Sequence, residues 1–224
     1  MTQQLPLHQE FMLLALNDEG GNLEGSLPLY GVAGAMLSEL LLQHRLTVDN
    51  DKQIVTVQDA RPTGDELLDE LLAQINEASQ PKDLKYWVSK AATMKDLKNR
   101  VANHLCELGI LKADESKLLF VFTRKVYPEV DRSYEDAIRD RMAAAMFGEE
   151  TGDERTAVLI SFAKNCALLR ANFPKEEIKQ HKQRIEELAE GKLLACGATQ
   201  QAIQAVHTSI MVAVMTSSFV ATMN

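Results

Sequence analysis

Apolar and polar positions change period several times along this chain, and each change marks an element. Residues 11–16 form an apolar run that begins after Glu10 and stops at Asn17-Asp18-Glu19-Gly20-Gly21, which predicts a short buried helix. A second helix is predicted over 29–44, with Pro28 near its first turn, where a missing N–H costs nothing. Gly31, Gly34 and Ala35 give it a small-residue face that admits a close neighbour. The period then falls to two. Residues 46–48 and 53–57 read as a hairpin around Asn50-Asp51, with Leu46, Val48, Ile54 and Val57 on one face. After the turn at 59–64, Thr63 is placed to cap a helix over 65–72 whose acidic first turn suits the positive end of the helix dipole.

Further helices are predicted over 81–93 and 94–108. In the second, Leu97, Val101, His104, Leu105 and Leu108 recur at helical spacing, and Gly109 ends it. The run 118–122 (Leu118, Leu119, Phe120, Val121, Phe122) has β character. Ile110-Leu111 is expected to pair with it across a turn at 112–117, making a second hairpin. Helices over 134–147, 153–171 and a charged, solvent-facing 175–190 follow. The sum is a mainly α fold in a single domain over 1–224: a helical bundle ringed by further helices, with two short β-hairpins.

Composition agrees with this pattern. Of 224 residues 46% are hydrophobic and only 5% aromatic, a balance that favours helix over sheet. Three dispersed cysteines, Cys106, Cys166 and Cys196, suit reduced thiols in a cytoplasmic compartment, and residues 1–10 lack the regions of a secretory signal. Residues 193–224 carry no Asp, Glu, Lys or Arg, a stretch longer than the roughly 20 residues a spanning helix needs. Its glutamines and hydroxyl residues favour the central helix of a soluble bundle.

Charge singles out one region. The formal net charge is −8, which repels nucleic acid and anionic membrane unless a local basic patch intervenes. Between 82 and 100 six bases stand against two acids, a local +4. Candidate chemistry is otherwise silent. The five histidines have no metal spacing, and no Ser, Cys or Gly-rich signature of a catalytic or nucleotide site is present. Asp59, Asp65 and Asp69 read as turn and helix-start residues. Neither enzyme activity nor a metal or cofactor is expected.

The order of pieces resembles the Golgi phosphoprotein 3 family with its bacterial relatives. The matching segments are Phe11-Met12-Leu13-Leu14-Ala15-Leu16 followed by Asp18-Glu19-Gly20, then Gly34-Ala35-Met36-Leu37-Ser38-Glu39-Leu40, then Pro62-Thr63-Gly64-Asp65-Glu66-Leu67. Trp87, the only tryptophan, and Leu105-Cys106-Glu107-Leu108-Gly109-Ile110-Leu111 continue the series. The resemblance implies a non-enzymatic peripheral membrane adaptor that binds phosphatidylinositol 4-phosphate or another anionic lipid. It implies that the two headgroup arginines of the family fall on Lys95 and Lys98, with Arg100 beside them. The family's remaining pocket arginine falls on Ala33, its pocket tryptophan has no equivalent, and Lys does not reproduce the bidentate grip of Arg on phosphate. Leu118, Leu119 and Phe120 would then form a hairpin contact with a membrane or with a second copy. The acidic Asp114-Glu115, placed in the turn, argue against deep insertion. The rival expectation is a soluble helical interaction module that oligomerises through this hairpin without binding lipid.

Overall fold

The computed structural model describes residues 4–16, 27–49, 51–118, 122–150, 152–193, 200–205 and 207–208. Its centre is helix α1, Leu7–Ala15, preceded by Pro6 as N-cap. Every residue from Leu7 to Leu14 is buried, polar ones included. The helix therefore starts four residues earlier than its apolar run, because His8, Gln9 and Glu10 all find partners inside. Helix α2, Leu27–Leu42, lies against it. Their approach is close at Gly31, where a built Cβ would stand 2.3 Å from Phe11 Cζ. The Phe11 ring is itself held against Phe162, with centroids 5.3 Å apart.

Strands β1, Leu46–Val48, and β2, Val55–Val57, form the first hairpin, in the register Leu46↔Val57, Thr47↔Thr56, Val48↔Val55. Leu46, Val48 and Val55 are buried, so Val55, not Ile54, completes the inner face. Helix α3, Glu66–Asn76, is capped by Asp65, whose side chain accepts from Leu67 and Leu68 N–H. Thr63 stands one step back: its hydroxyl accepts from Asp65 N–H and donates to Asp69. A carboxylate at the N-cap suits the helix dipole better than a hydroxyl does, which is why Asp65 holds that position.

Helices α4, Leu84–Ala92, and α5, Leu97–Glu107, come next, and Gly109 at φ +73° ends the second. The second hairpin differs from the pattern-based expectation. Strand β3 is Asp114–Leu118 and β4 is Phe122–Val126, paired from Asp114↔Val126 to Leu118↔Phe122. The polar residues 114–117 are strand, not turn, and Leu111 instead bridges Glu129. The tip thus falls between Leu118 and Phe122, and Asp114-Glu115 stand at the base of the ribbon. Leu119 and Phe120 lie outside the described residues.

Helix α6, Ser133–Phe147, and α7, Glu154–Asn165, pack on the centre. The long helix expected over 153–171 breaks at Ala167, which takes φ +60°, and resumes as the short α8, Leu169–Asn172. The charged segment is likewise two helices, α9, Lys175–Gln180, and α10, Lys182–Ala189. Residues 200–205 are helical, with Ala202, Ile203 and Ala205 buried. Most of the uncharged segment, 194–199, 206 and 209–224, lies outside the described residues. Among those described, no helix is long and apolar enough to cross a membrane.

Candidate functional site

The local charge reversal becomes a place in three dimensions at the junction of α4 and α5. Helix α4 runs from an Asp83 cap to Lys90 in its last turn, where a cation suits the dipole. The chain turns through Thr93 and the buried Met94, and Asp96 enters α5 with φ 57°. In that conformation the Asp96 carboxylate makes no cap to the helix; it accepts from Asn99 Nδ2 instead. The Asp96 side chain therefore leaves the first turn of α5 without an N-cap acceptor, and Leu97 N–H donates to Met94 O at 3.3 Å. Lys90 and Lys95 are exposed and Lys98 is half-buried around this turn. A helix start flanked by lysines is an arrangement that favours an anion.

Arg100 lies elsewhere. Two residues along a helix rotate a side chain by roughly 200°, and Arg100 faces α3 rather than the turn. Its Nη2 is 2.8 Å from Glu66 Oε1 and its Nη1 is 2.6 Å from Glu70 Oε2. Partial burial opposes its charge, but these two carboxylates outweigh that and hold the guanidinium firmly protonated. The neighbouring cleft, about 280 Å³, is lined by Asp65, Glu66, Glu107, His104, Gln9 and Arg100. It is an acidic cleft. Of the three predicted headgroup cations, Lys95 and Lys98 share one turn and Arg100 is clamped on another face.

The turn is tied to the second hairpin. Tyr127, fully buried just past β4, donates from its hydroxyl to Asn99 Oδ1 at 2.9 Å. Asn99 thus joins the start of α5 to the foot of the ribbon.

Other titratable groups build rather than bind. Asp59 accepts from Arg61 and Arg45, which pull its carboxyl far below the ordinary range. Asp65 would be pushed up by burial, but His8 and the helix N–H groups it caps bring it down to about 2. His8 Nε2 lies 3.4 Å from Asp65 Oδ2, within ion-pair range but outside hydrogen-bond geometry. Glu129 is displaced the other way, to about 8, by burial and by the nearby Glu135 carboxyl, against the pull of Arg132 and Arg139. Burial lifts the Cys166 thiol to about 12, so it is no nucleophile at neutral pH. Among the described residues no group of three or more His, Cys, Asp or Glu side chains could hold a metal ion.

An ionic knot in the core escaped the sequence reading. Arg155 Nη1 donates to both Glu39 oxygens at 2.8 and 2.7 Å, and its Nη2 donates to Leu5 O at 2.7 Å. Glu39 also accepts from Leu7 N–H and from Gln43. Glu10, beside it, takes Arg141 at 2.6 Å and Arg155 at 3.6 Å. Helices α1, α2, α6 and α7 meet there. The available signal was a Glu at the border of one apolar run, position 10, and a lone Glu inside another, position 39.

The family model for Golgi phosphoprotein 3 (GPP34) matches residues 7–206, from the first turn of α1 to the last described helix. This chain belongs to the Golgi phosphoprotein 3 family. Among its relatives is the Vacuolar protein sorting-associated protein 74 of Eremothecium gossypii, 26% identical over 164 residues, which are 63% of this chain and 49% of that protein. The protein of the same name from Schizosaccharomyces pombe is 26% identical over 165 residues, 64% of this chain and 48% of that protein. The aligned stretch spans about half the length of these curated relatives. Membership accounts for the mainly helical architecture. Ala33 on α2 is fully buried.

Proposed function

We propose that this chain is a non-enzymatic peripheral membrane protein that holds an anionic lipid headgroup, phosphatidylinositol 4-phosphate or a related phosphoinositide, at the α4–α5 turn. The observation that carries the reading is the α5 start without a side-chain cap, flanked by exposed Lys95 and half-buried Lys98. The backbone N–H groups would receive phosphate oxygens and the two ammonium groups would supply charge. Each lysine near an anionic leaflet contributes about 1 kcal/mol. Arg100 would shape the site from behind by fixing α5 on α3. The hairpin tip around Leu118, Leu119 and Phe120 would rest against the membrane, since Tyr127 and Asn99 join the ribbon to the cationic turn. Family membership favours a Golgi-type adaptor role on a cytoplasmic membrane face.

The test is sedimentation with vesicles of phosphatidylcholine alone, with added phosphatidylinositol 4-phosphate, and with phosphatidylserine at matched charge. The protein should co-sediment with the phosphoinositide vesicles. The paired substitution Lys95→Glu and Lys98→Glu should abolish this while the melting temperature stays put. Sedimentation that survives the paired substitution removes the site.

A further inference from the structure

The first hairpin has two outer edges, and they are finished differently. Gln58 N–H donates to Arg45 O at 2.8 Å and Asp49 N–H donates to Ile54 O at 3.1 Å. With the register above, residues 54, 56 and 58 turn their backbone groups toward β1, while Val55 and Val57 turn theirs away. On the far edge of β1, both outward groups of Val48 are met by the Gln201 amide: N–H to Oε1 at 3.2 Å and Nε2 to O at 3.0 Å. On the far edge of β2 the chain at 82–84 runs alongside for one step. Val55 N–H donates to Lys82 O at 3.0 Å and Leu84 N–H donates to Gln53 O at 2.9 Å. There the pairing stops. Among the described residues nothing meets the C=O of Val55 or the N–H and C=O of Val57.

A groove of about 170 Å³ lies along this open edge, lined by Val55, Val57, Ile75, Ala78, Lys82 and Trp87 among others. Its walls are mixed: apolar side chains predominate, Thr56 and Asn76 are polar, and Lys82 is the one charge among the lining residues. Trp87 is only 3% exposed, yet its indole N–H has no acceptor among the described residues. A buried indole N–H usually finds one. The groove is small beside the 300–1,000 Å³ or so of small-molecule pockets, and suits a single side chain.

We propose that the free edge of β2 and this groove form a docking site for an extended, carboxylate-bearing segment of a partner polypeptide, which adds a third strand to the hairpin. Val57 N–H and C=O bond the backbone of the incoming strand, the mode in which main-chain pairing supplies affinity and side-chain pockets supply selectivity. One apolar side chain of the segment fills the groove against Ile75 and Trp87. Its carboxylate meets Lys82, whose ammonium stands 5.6 Å from the Tyr86 ring centre at the rim. The site is separate from the cationic turn, so lipid capture and peptide capture are independently removable.

Trp87 is the chain's only tryptophan, so its emission reports this groove alone. The probe is a panel of short capped peptides alternating valine and threonine, half carrying glutamate and half lysine at one position. Glutamate peptides should shift the Trp87 emission saturably, and lysine peptides should not. Val57→Pro removes an outward N–H at an edge position that tolerates proline and reshapes the side chain there, so N-methylated peptides isolate the backbone part of its effect. It should weaken binding about tenfold, the worth of a lost backbone hydrogen bond. N-methylation of the peptide's pairing amides should do the same, and Lys82→Glu should invert the preference to the lysine peptides. Full co-sedimentation of Val57→Pro with phosphoinositide vesicles is expected. No emission change with any peptide on the folded protein overturns the site. Binding blind to both Val57→Pro and N-methylation overturns strand addition. A concentration-dependent mass that Val57→Pro lowers would give the edge to a second copy and likewise overturn the assignment.

Discussion

Two groups of cations in this molecule are handled in opposite ways. Arg141 and Arg155 enter the core, where Glu10 and Glu39 receive them within a hydrogen-bonded knot that joins four helices. Lys95 and Lys98 gather around a helix start without a side-chain cap at the surface. The chemistry of the side chains fits each setting. A guanidinium is a planar fork that satisfies two carboxylate oxygens and a carbonyl at once; an ammonium is a mobile point charge that keeps its hydration until an anion arrives. The lesson is that a cation enclosed by buried carboxylates, as Glu10 and Glu39 enclose the two arginines, serves the fold. Arg100 makes the point within a single helix: grouped by sequence with the lysines, it belongs by geometry with the structural arginines.

The comparison is broken most severely at the knot. Arg155→Met leaves Glu39 almost fully buried without its counter-charge, and loss of one partner of a buried pair costs about 3–5 kcal/mol. Thermal or urea unfolding should register a large fall in stability. The paired Lys95→Glu and Lys98→Glu substitution should do the reverse, removing vesicle binding and leaving the unfolding curve in place. Equal loss of stability in the two variants would erase the distinction drawn here.

A third prediction concerns pH. Glu129 has a folded-state value raised from about 4.5 to about 8 by burial and by Glu135. A raised carboxyl binds its proton more tightly in the folded than in the unfolded chain. Its contribution is therefore fully present below pH 4.5 and is lost as pH rises toward 8. Glu129→Gln should flatten the decline of stability across that window, gaining over the parent at pH 8 and matching it at pH 4. A decline of unchanged slope would show that the group does not govern it. The smallest effect is expected at Arg100→Ala. Its partners are partly exposed, such pairs contribute about 0.2–1 kcal/mol each, and vesicle binding should drop only modestly through a loosened α5. Loss as complete as that of the lysine pair would return Arg100 to the headgroup.

The parts of this fold that were legible in the sequence are those decided by neighbours. The first hairpin follows from alternation around Asn50-Asp51, and α5 follows from Leu97, Val101 and Leu105 at helical spacing. What was not legible depended on contacts far along the chain. The start of α1 was hidden because His8, Gln9 and Glu10 look like a solvated tail until Asp65, Arg141 and Arg155 are brought to them. Apolar content alone misplaces the second hairpin, because antiparallel backbone pairing there runs through polar residues such as Glu115, Ser116 and Lys117. At the candidate site, Lys95 and Lys98 were visible as a local surplus of charge. The removal of Arg100 from that surplus was not, since its partners Glu66 and Glu70 lie 34 and 30 residues earlier.

The contact between Gly31 and Phe11 has a genetic corollary. Glycine is the one amino acid without a Cβ, so every missense change at this triplet adds one, and a Cβ at this position falls 2.3 Å from a ring pinned by Phe162. Only silent changes pass at that triplet: amino-acid drift that the surface of this protein absorbs freely meets a wall at residue 31.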